Sequence, residues 1–361
     1  MIPSVRNRIL KNFFFNFIKM SVYILGIESS CDDTSAAIME DTTVLANVIA
    51  NQEVHRQYGG VVPELASRAH QQNIVPVISH AFQVANINKK NLSAIAFTQG
   101  PGLLGSLLVG VSFSKALAIG LDVPLIEIDH IKAHILAHFV QKKDKIKEVP
   151  EFPFLCLIVS GGHTQIVLVE DYDNMTVIGS TIDDAAGETF DKAAKIMELG
   201  YPGGPLIDKL AKIGDENHFK FAKPHVAGYN YSFSGLKTSF LYFLRDELKN
   251  NPAFIEDNKA DLCASLQKTI IDILIGKLML AAKETGIKSI AIAGGVSANS
   301  GLRNAVINLS EMYNWKPFIP EFEFTTDNAA MIAVAGYFKY MSGNFSNQTA
   351  KPYSKSSCKI K

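Results

Sequence analysis

Apolar residues in this chain fall into short runs separated by polar or glycine-rich turns. Residues 22–27 form an apolar stretch of strand length, the turn Glu28-Ser-Ser-Cys-Asp-Asp33 follows, and a second apolar run occupies 36–39. The same arrangement recurs far downstream as a strand at 154–159, the turn Ser160-Gly-Gly-His163 and a strand at 166–169. Two β-turn-β units, each opening about half of the chain, predict an internal duplication; coincidence between two short, degenerate segments is the competing reading. Between them the pattern predicts helices at 63–85 and 103–119, strands at 92–98 and 124–128, and a helix that begins at His130. The second half continues with helices near 188–199 and 259–285 and a strand at 289–293 leading into Gly294-Gly-Val-Ser-Ala-Asn299. Strands alternating with helices throughout predict an α/β fold of sheets covered by helices. The lysine-rich segment 141–148, just before Pro150, is expected to connect two lobes.

Composition narrows this picture. A chain of 361 residues is too long for one comfortable core, and 47% apolar with 19% charged residues is the balance of an α/β enzyme. No uninterrupted apolar run reaches the roughly 18 residues of a membrane span. Four scattered cysteines without a C-x-x-C pair predict reduced thiols and no disulfide framework. The net charge of zero hides an asymmetry, because residues 1–20 hold Arg6, Arg8, Lys11 and Lys19 and no acid, leaving −4 from Ser21 onward. Such a body does not bind nucleic acid by bulk attraction; an RNA substrate needs a local basic patch or a partner. The basic, Phe-rich head reads as an over-long start or a disordered extension, with a mitochondrial presequence as the alternative. The expected location is therefore the cytoplasm, or mitochondria if the head is a presequence. The polar tail from Ser342 is expected to be largely disordered.

The candidate chemistry centres on Asp129-His-Ile-Lys-Ala-His134. Histidines four apart on a helix share a face and can share one metal ion, although two such histidines are also ordinary surface or packing residues. Asp327, in Phe324-Thr-Thr-Asp-Asn-Ala-Ala330, is either the N-cap of a helix or a third ligand. Two imidazoles and one carboxylate suit Fe2+ or Zn2+ and leave positions open for a substrate. His138 extends the same face and competes as a ligand.

Several turns carry a second reading. The turn Val159-Ser-Gly-Gly-His163 is either an anion cradle of backbone N–H groups or a plain hairpin. Gly294-Gly-Val-Ser-Ala-Asn299 stands where an α/β crevice holds a nucleotide, with Asn299 facing a base or ribose or else capping a helix. Asp191 and Asp208 flank glycine-rich turns and are cleft carboxylates or solvated charges, Asp191 pairing with Lys195. Gly100-Pro-Gly-Leu-Leu-Gly105 is a literal G-x-G-x-x-G, with Glu127 and Asp129 near the place of a ribose-binding acid; it supports a dinucleotide oxidoreductase or a tight turn for close helix packing. Ile131 follows His130 where a zinc protease needs Glu, and no P-loop is present.

Taken together, nine segments in order resemble the TsaD family of tRNA N6-adenosine threonylcarbamoyltransferases, bacterial branch, from about Tyr23 to Tyr340. They are Gly26-Ile-Glu-Ser-Ser-Cys-Asp-Asp-Thr34, Gly59-Gly-Val-Val-Pro-Glu-Leu-Ala-Ser-Arg-Ala-His70, His130-Ile-Lys-Ala-His134, Val159-Ser-Gly-Gly-His-Thr164, Asp183-Asp-Ala-Ala-Gly-Glu188, Tyr201-Pro-Gly-Gly-Pro205, Ser232-Phe-Ser-Gly-Leu-Lys-Thr238, Gly294-Gly-Val-Ser-Ala-Asn299 and Thr326-Asp-Asn-Ala-Ala330.

The resemblance implies an actin/Hsp70/sugar-kinase-like (ASKHA) fold of two lobes, built on duplicated RNase-H-like units around a nucleotide cleft. The lobes would be 21–150 completed by 325–341, and 151–324, with an extension at 1–20 and a tail at 342–361. It implies one divalent metal, Fe2+ ahead of Zn2+, on His130, His134 and Asp327. An adenylate would be cradled by Ile158, Val159, Ser160, Gly161 and Gly162, with Asp191, Gly204, Asp208 and Asn299 on the nucleotide side. The implied reaction moves threonylcarbamoyl from threonylcarbamoyl-AMP to the N6 amine of adenosine 37 in tRNAs reading codons that begin with A, releasing AMP. Implied partners are a non-catalytic ASKHA paralogue and a small P-loop ATPase, although mitochondrial relatives act without them. A non-catalytic scaffold of the same fold would be expected to have lost the metal ligands, and all three candidates are present here.

Overall fold

The computed structural model describes residues 21–51, 55, 58 and 60–355. The readings of residues 1–20 as presequence, extension or over-long start lie outside the described residues.

Two sheets share one plan. The first is built from β1 (Tyr23–Glu28), β2 (Thr34–Glu40), β3 (Thr43–Ala50), β4 (Ala94–Gly100), β5 (Leu125–Asp129) and the two-residue β6 (Gln141–Lys142), in the order β5-β4-β1-β2-β3-β6. The second is built from β7 (Phe154–Val159), β8 (Thr164–Val169), β9 (Met175–Ser180), β10 (Ser289–Ala293) and β11 (Lys316–Phe318), in the order β11-β10-β7-β8-β9. In each, an antiparallel meander of three strands is extended by two parallel strands. The ladder between second and third strands slips in both, at Ile38/Met39 and at Ile166/Val167. The β-turn-β repeat of the sequence is thus the visible part of a five-strand repeat. β6 falls within the lysine-rich segment, which therefore adds an edge strand to the first sheet as well as leading onward.

Helices α1 (Pro63–Ala85) and α2 (Leu104–Leu121) cover the outer face of the first sheet. α2 is long and apolar enough, by length and composition, to cross a membrane. Ser106, Ser112, Ser114 and Lys115 interrupt its apolar sequence. Its Leu107, Gly110, Val111 and Ala118 are buried against the sheet and α1.

The short α3 (His130–Leu136) leads on to α4 (Ala186–Ile196), α5 (Gly203–Ala211), α6 (Ser234–Asn250), α7 (Phe254–Thr285) and α8 (Ser300–Tyr313), the last five clothing the second sheet. α9 (Ala329–Met341) returns to the first sheet, and with α3 it fills the core between the two sheets. α9 is apolar on nearly every side, as a fully enclosed helix must be. Glycine allows its approach: a Cβ on Gly26 would lie 2.4 Å from the Ala329 carbonyl, and one on Gly336 would lie 2.5 Å from the Ala96 methyl. The elements that carry both histidines and Asp327 are therefore held from both sides.

The tail departs from expectation. Residues 342–355 are not loose; they run back along β5, where the Ser346 amide donates to the Leu125 carbonyl at 2.7 Å and Tyr353 reaches Asp129. No polar or apolar period in the tail announces this, because its anchors are side chains and backbone from elsewhere in the chain.

A candidate metal centre beside an apolar cleft

β5 runs directly into α3, and the junction is capped by Asp129, whose Oδ1 accepts from the amides of Ile131 and Lys132 at 2.9 and 3.0 Å. That cap fixes the first turn of the helix and with it the heading of His130 and His134. Their rings stand nearly perpendicular with centroids 4.7 Å apart. Asp327 Oδ1 lies 3.4 Å from His130 Nε2 and 3.2 Å from His134 Nε2. One ligand atom from each of the three converges within 4.8 Å of the others. Asp327 is not the helix cap, because Asn328 takes that place by accepting from the Met331 amide at 3.1 Å. The neighbouring cap leaves the Asp327 carboxylate free to face the histidines.

Glu28 stands behind His130, fully buried, with Oε2 3.1 Å from Nδ1. It is fixed in turn by the Ser30 amide at 2.5 Å and the Thr98 hydroxyl at 2.6 Å. A carboxylate on Nδ1 keeps the proton there and turns the Nε2 lone pair toward Asp327. Burial works against the charged form of His130, but Asp327 and then Glu28 outweigh it and raise its pKa well above the ordinary value. Two imidazole nitrogens and one carboxylate oxygen converging in this way fit a divalent cation of the Fe2+ or Zn2+ kind.

His138 does not join them. The helix tightens into a 3-10 turn at Ala137–Phe139, and His138 Nε2 donates to the Ile292 carbonyl at 3.0 Å. Burial, followed by nearby Lys147, pushes its pKa down to about 3, so it stays neutral as a core strut between the two sheets.

The triad opens on a cavity of about 720 Å3 whose walls include Ser30, Asp32, Asp33, His130, Ser160, Gly162, His163 and Asp327. The two equivalent hairpin turns, 28–33 and 160–163, thus face one space. Gly161, Gly295 and Thr326 also border a second, more apolar pocket of about 370 Å3, walled by Phe190, Pro202, Val296, Asp191, Gly204, Asp208 and Asn299. The structure so brings seven of the nine expected adenylate residues to a continuous cleft. Ile158 and Val159 lie fully buried in β7 and carry the turn rather than the wall.

Asp191 is not paired with Lys195; its Oδ1 accepts from the Gly203 amide at 2.8 Å, and burial raises its pKa. Asp208 accepts from the amide and hydroxyl of Ser300. Asn299 caps α8 through the Leu302 amide while its Nδ2 donates to Gln267. Asn299 is thus the helix cap that its sequence allows, while Asp191 and Asp208 are not solvated charges but brace helix starts that border the pocket. Gly294 has a positive φ of 84°, and a Cβ there would meet the Val159 carbonyl at 2.6 Å.

The G-x-G-x-x-G segment is used for close packing. A Cβ on Gly102 would sit 2.4 Å from the Ser30 carbonyl, one on Gly100 2.2 Å from the Tyr353 carbonyl, and one on Gly105 3.2 Å from Ser67. Glu127 and Asp129, the candidate ribose acids, are engaged by Gln99 and by the α3 cap. Sequence reasoning did not assign Glu28 its place behind His130, nor His70, which links Cys31 and Thr34 to α1. The one signal in the sequence was their place, Glu28 inside Gly26–Thr34 and His70 at the end of Gly59–His70, two of the nine segments.

Comparison with known proteins gives the family. The family profile described as TsaD: tRNA N6-adenosine threonylcarbamoyltransferase matches residues 43–334. The tRNA N6-adenosine threonylcarbamoyltransferase of Porphyromonas gingivalis is 61% identical over 338 residues, spanning 94% of this chain and 99% of that one. The protein of the same name from Christiangramia forsetii is 63% identical over 326 residues, spanning 90% and 95%. Among solved structures, T. kodakarensis HypF superimposes with a TM-score of 0.56 at 14% identity, covering 91% of this chain and 50% of that one, a likeness of ASKHA-type fold.

Proposed function

This chain belongs to the tRNA N6-adenosine threonylcarbamoyltransferase family, and from that premise we propose how its cleft performs the transfer. The donor is threonylcarbamoyl-AMP. Its adenosine lies in the apolar pocket against Phe190 and Val296, and its phosphate lies at the glycine turn, where the open backbone of Gly161 and Gly162 can approach an anion. The carbamoyl end then points along the shared border toward the triad. The observation that carries this reading is the continuity of the two spaces through Gly161, Gly295 and Thr326.

An ion on His130, His134 and Asp327 supplies Lewis acidity and orientation at the carbamoyl end. The remaining work falls to the chain. The mixed anhydride is already activated, so no covalent nucleophile is needed; proximity of amine and carbonyl carries much of the rate. The N6 amine of adenosine 37 forms the new C–N bond, the C–O bond to the phosphate breaks, and AMP leaves with that electron pair. The amine must shed a proton, and Asp33 on the cavity wall, its carboxyl raised first by burial in the metal-free chain, is the carboxylate placed to take it.

Partners fit the same reading. The outer face of α1 and α2 exposes Val75, Val84, Leu104, Leu108 and Ile119, the kind of apolar surface that a protein partner such as a non-catalytic paralogue covers. The test is a single-turnover assay with unmodified tRNA and supplied threonylcarbamoyl-AMP, with and without the paralogue and ATPase, comparing wild type with His134→Ala. Modified adenosine from wild type and none from the variant supports the reading. No product in any mixture, with adenylate and metal both unbound, overturns it in favour of a scaffold.

A further inference from the structure

The function above leaves one ordered element without a role. After α9 the chain does not end at the sheet; residues 342–355 lie along β5 and are gripped at intervals. The Ser346 hydroxyl accepts from the Glu127 amide at 2.7 Å, Lys115 Nζ donates to the Ala350 carbonyl, and Gln99 Nε2 donates to the Lys351 carbonyl at 3.1 Å. The Tyr353 amide then donates to the Gln99 carbonyl at 3.2 Å, and its hydroxyl donates to Asp129 Oδ2 at 2.6 Å. Gly100 has no side chain where Tyr353 crosses it. These anchors deliver Ser354 and Lys355 to the wall of the triad cavity.

Charge distinguishes what is delivered. The acids of that wall are Asp32, Asp33 and Asp327, and Lys355 is its one lysine or arginine among the described residues. Lys351 and Lys355 are exposed, and neither meets a carboxylate among the described residues. The anchors themselves use up Lys115, so the strap ends in two cations that the fold leaves unpaired. The chain from Ser21 onward carries a net charge of −4. A polyanion that must place one base in this cavity carries a phosphate on each side of that base, at the cavity mouth. Lys355, held on that wall by an ordered backbone, makes such a contact without first ordering a loose chain, and Lys351 stands four residues back along the same strap.

We propose that residues 342–355 form a substrate strap whose Lys351 and Lys355 contact the phosphate backbone of the RNA strand bearing the target adenosine. The proposal rests on the transferase reading, and it assigns the local basic patch that an acidic body requires. The lysines position the strand; they take no part in the chemistry.

The experiment uses the full-length, metal-loaded chain with the same partner mixture throughout, unmodified tRNA and threonylcarbamoyl-AMP. Lys351→Glu/Lys355→Glu changes two exposed residues that form no ion pair among the described residues, and melting curves recorded beside the assay check that the fold is intact. The KM for tRNA is expected to rise about tenfold, and Lys351→Glu alone, which lies off the cavity wall, should raise it with kcat and the KM for the donor unchanged. The dependence of log(kcat/KM) on log salt should flatten by about 0.7 for each lysine. Lys351→Arg/Lys355→Arg should restore both. An unchanged KM for tRNA with an unchanged salt slope overturns the strap as an RNA contact, including the case in which it is covered by a protein. Wild type that transfers nothing under any mixture sinks the transferase reading instead, so the two failures are told apart.

Discussion

Glu28 and His130 are joined by a 3.1 Å contact between Oε2 and Nδ1, and Glu28 has no freedom to leave it, because the Ser30 amide and the Thr98 hydroxyl hold its two oxygens. The two residues are 102 positions apart in sequence, yet both sit at strand ends of one sheet. The pair sets which nitrogen of His130 faces Asp327. Replacing Glu28 with Gln keeps the shape and removes the charge. Metal affinity is then expected to fall about 10–100-fold, measured by competition against a chelator. Wild-type affinity in the variant would show that His130 orients itself.

His138 and His134 lie four apart and are both buried, but they should separate cleanly in experiment. His134→Ala is expected to lose bound metal and transfer activity together. His138→Ala should keep its metal while losing about 2–3 kcal/mol of stability, since it forfeits a buried ring and leaves the Ile292 carbonyl unpaired. Denaturant unfolding beside metal analysis checks both, and metal loss in the His138 variant would return that residue to the ligand set.

Asp33 links pH to stability with a definite sign. Its ordinary value is 3.8, and in the folded chain burial, helped by Asp32, Asp327 and Glu28, raises it to about 7. Between those values the folded chain keeps a proton that the unfolded chain has released, so stability falls as pH rises through the window. In metal-free protein, Asp33→Asn should therefore lose less thermal stability than wild type between about pH 4 and pH 7. Parallel melting curves for the two proteins across that range would count against the shifted carboxyl.

Gly294→Ala tests the nucleotide side. The residue holds a φ of 84° with the Val159 carbonyl 2.6 Å from any added Cβ. Alanine there should cost about 1–3 kcal/mol and displace the turn between β10 and α8. Adenylate affinity, read by calorimetry, should fall while metal content holds. Retained affinity would place the adenylate elsewhere in the cleft.

Much of this arrangement could be read from the chain before any coordinates. α1 and β7 fall at their expected limits, because a 23-residue helix opening on Pro63 and a fully buried strand both leave strong patterns. The two histidines declared themselves by spacing, while Asp327 stayed open between helix cap and third ligand until the resemblance joined it to them. Other elements had no local signal. α6 was not anticipated, and its cap explains why: the amides of Phe233 and Ser234 are taken by Asp183, fifty positions earlier, at 2.8 and 3.3 Å. β3 and β9 were missed because they are outer strands, half-buried along most of their length, with no clean alternation to read. The tail was misjudged because polar composition says nothing about bonds that Lys115, Gln99 and Asp129 make to it.

Asp327 lies 193 residues beyond His134 and arrives only with α9, the helix that docks between the sheets. A nascent chain can fold its histidine helix early, but it has no complete triad until nearly all of its length has left the ribosome. An ion taken up there binds the folded chain and not the unfolded one, in which Asp327 is 193 positions from His134, and so stabilises the fold by mass action. Loading would then mark the end of folding: a truncated or stalled chain has nothing with which to keep the ion, and a finished one is the harder to unfold for having it.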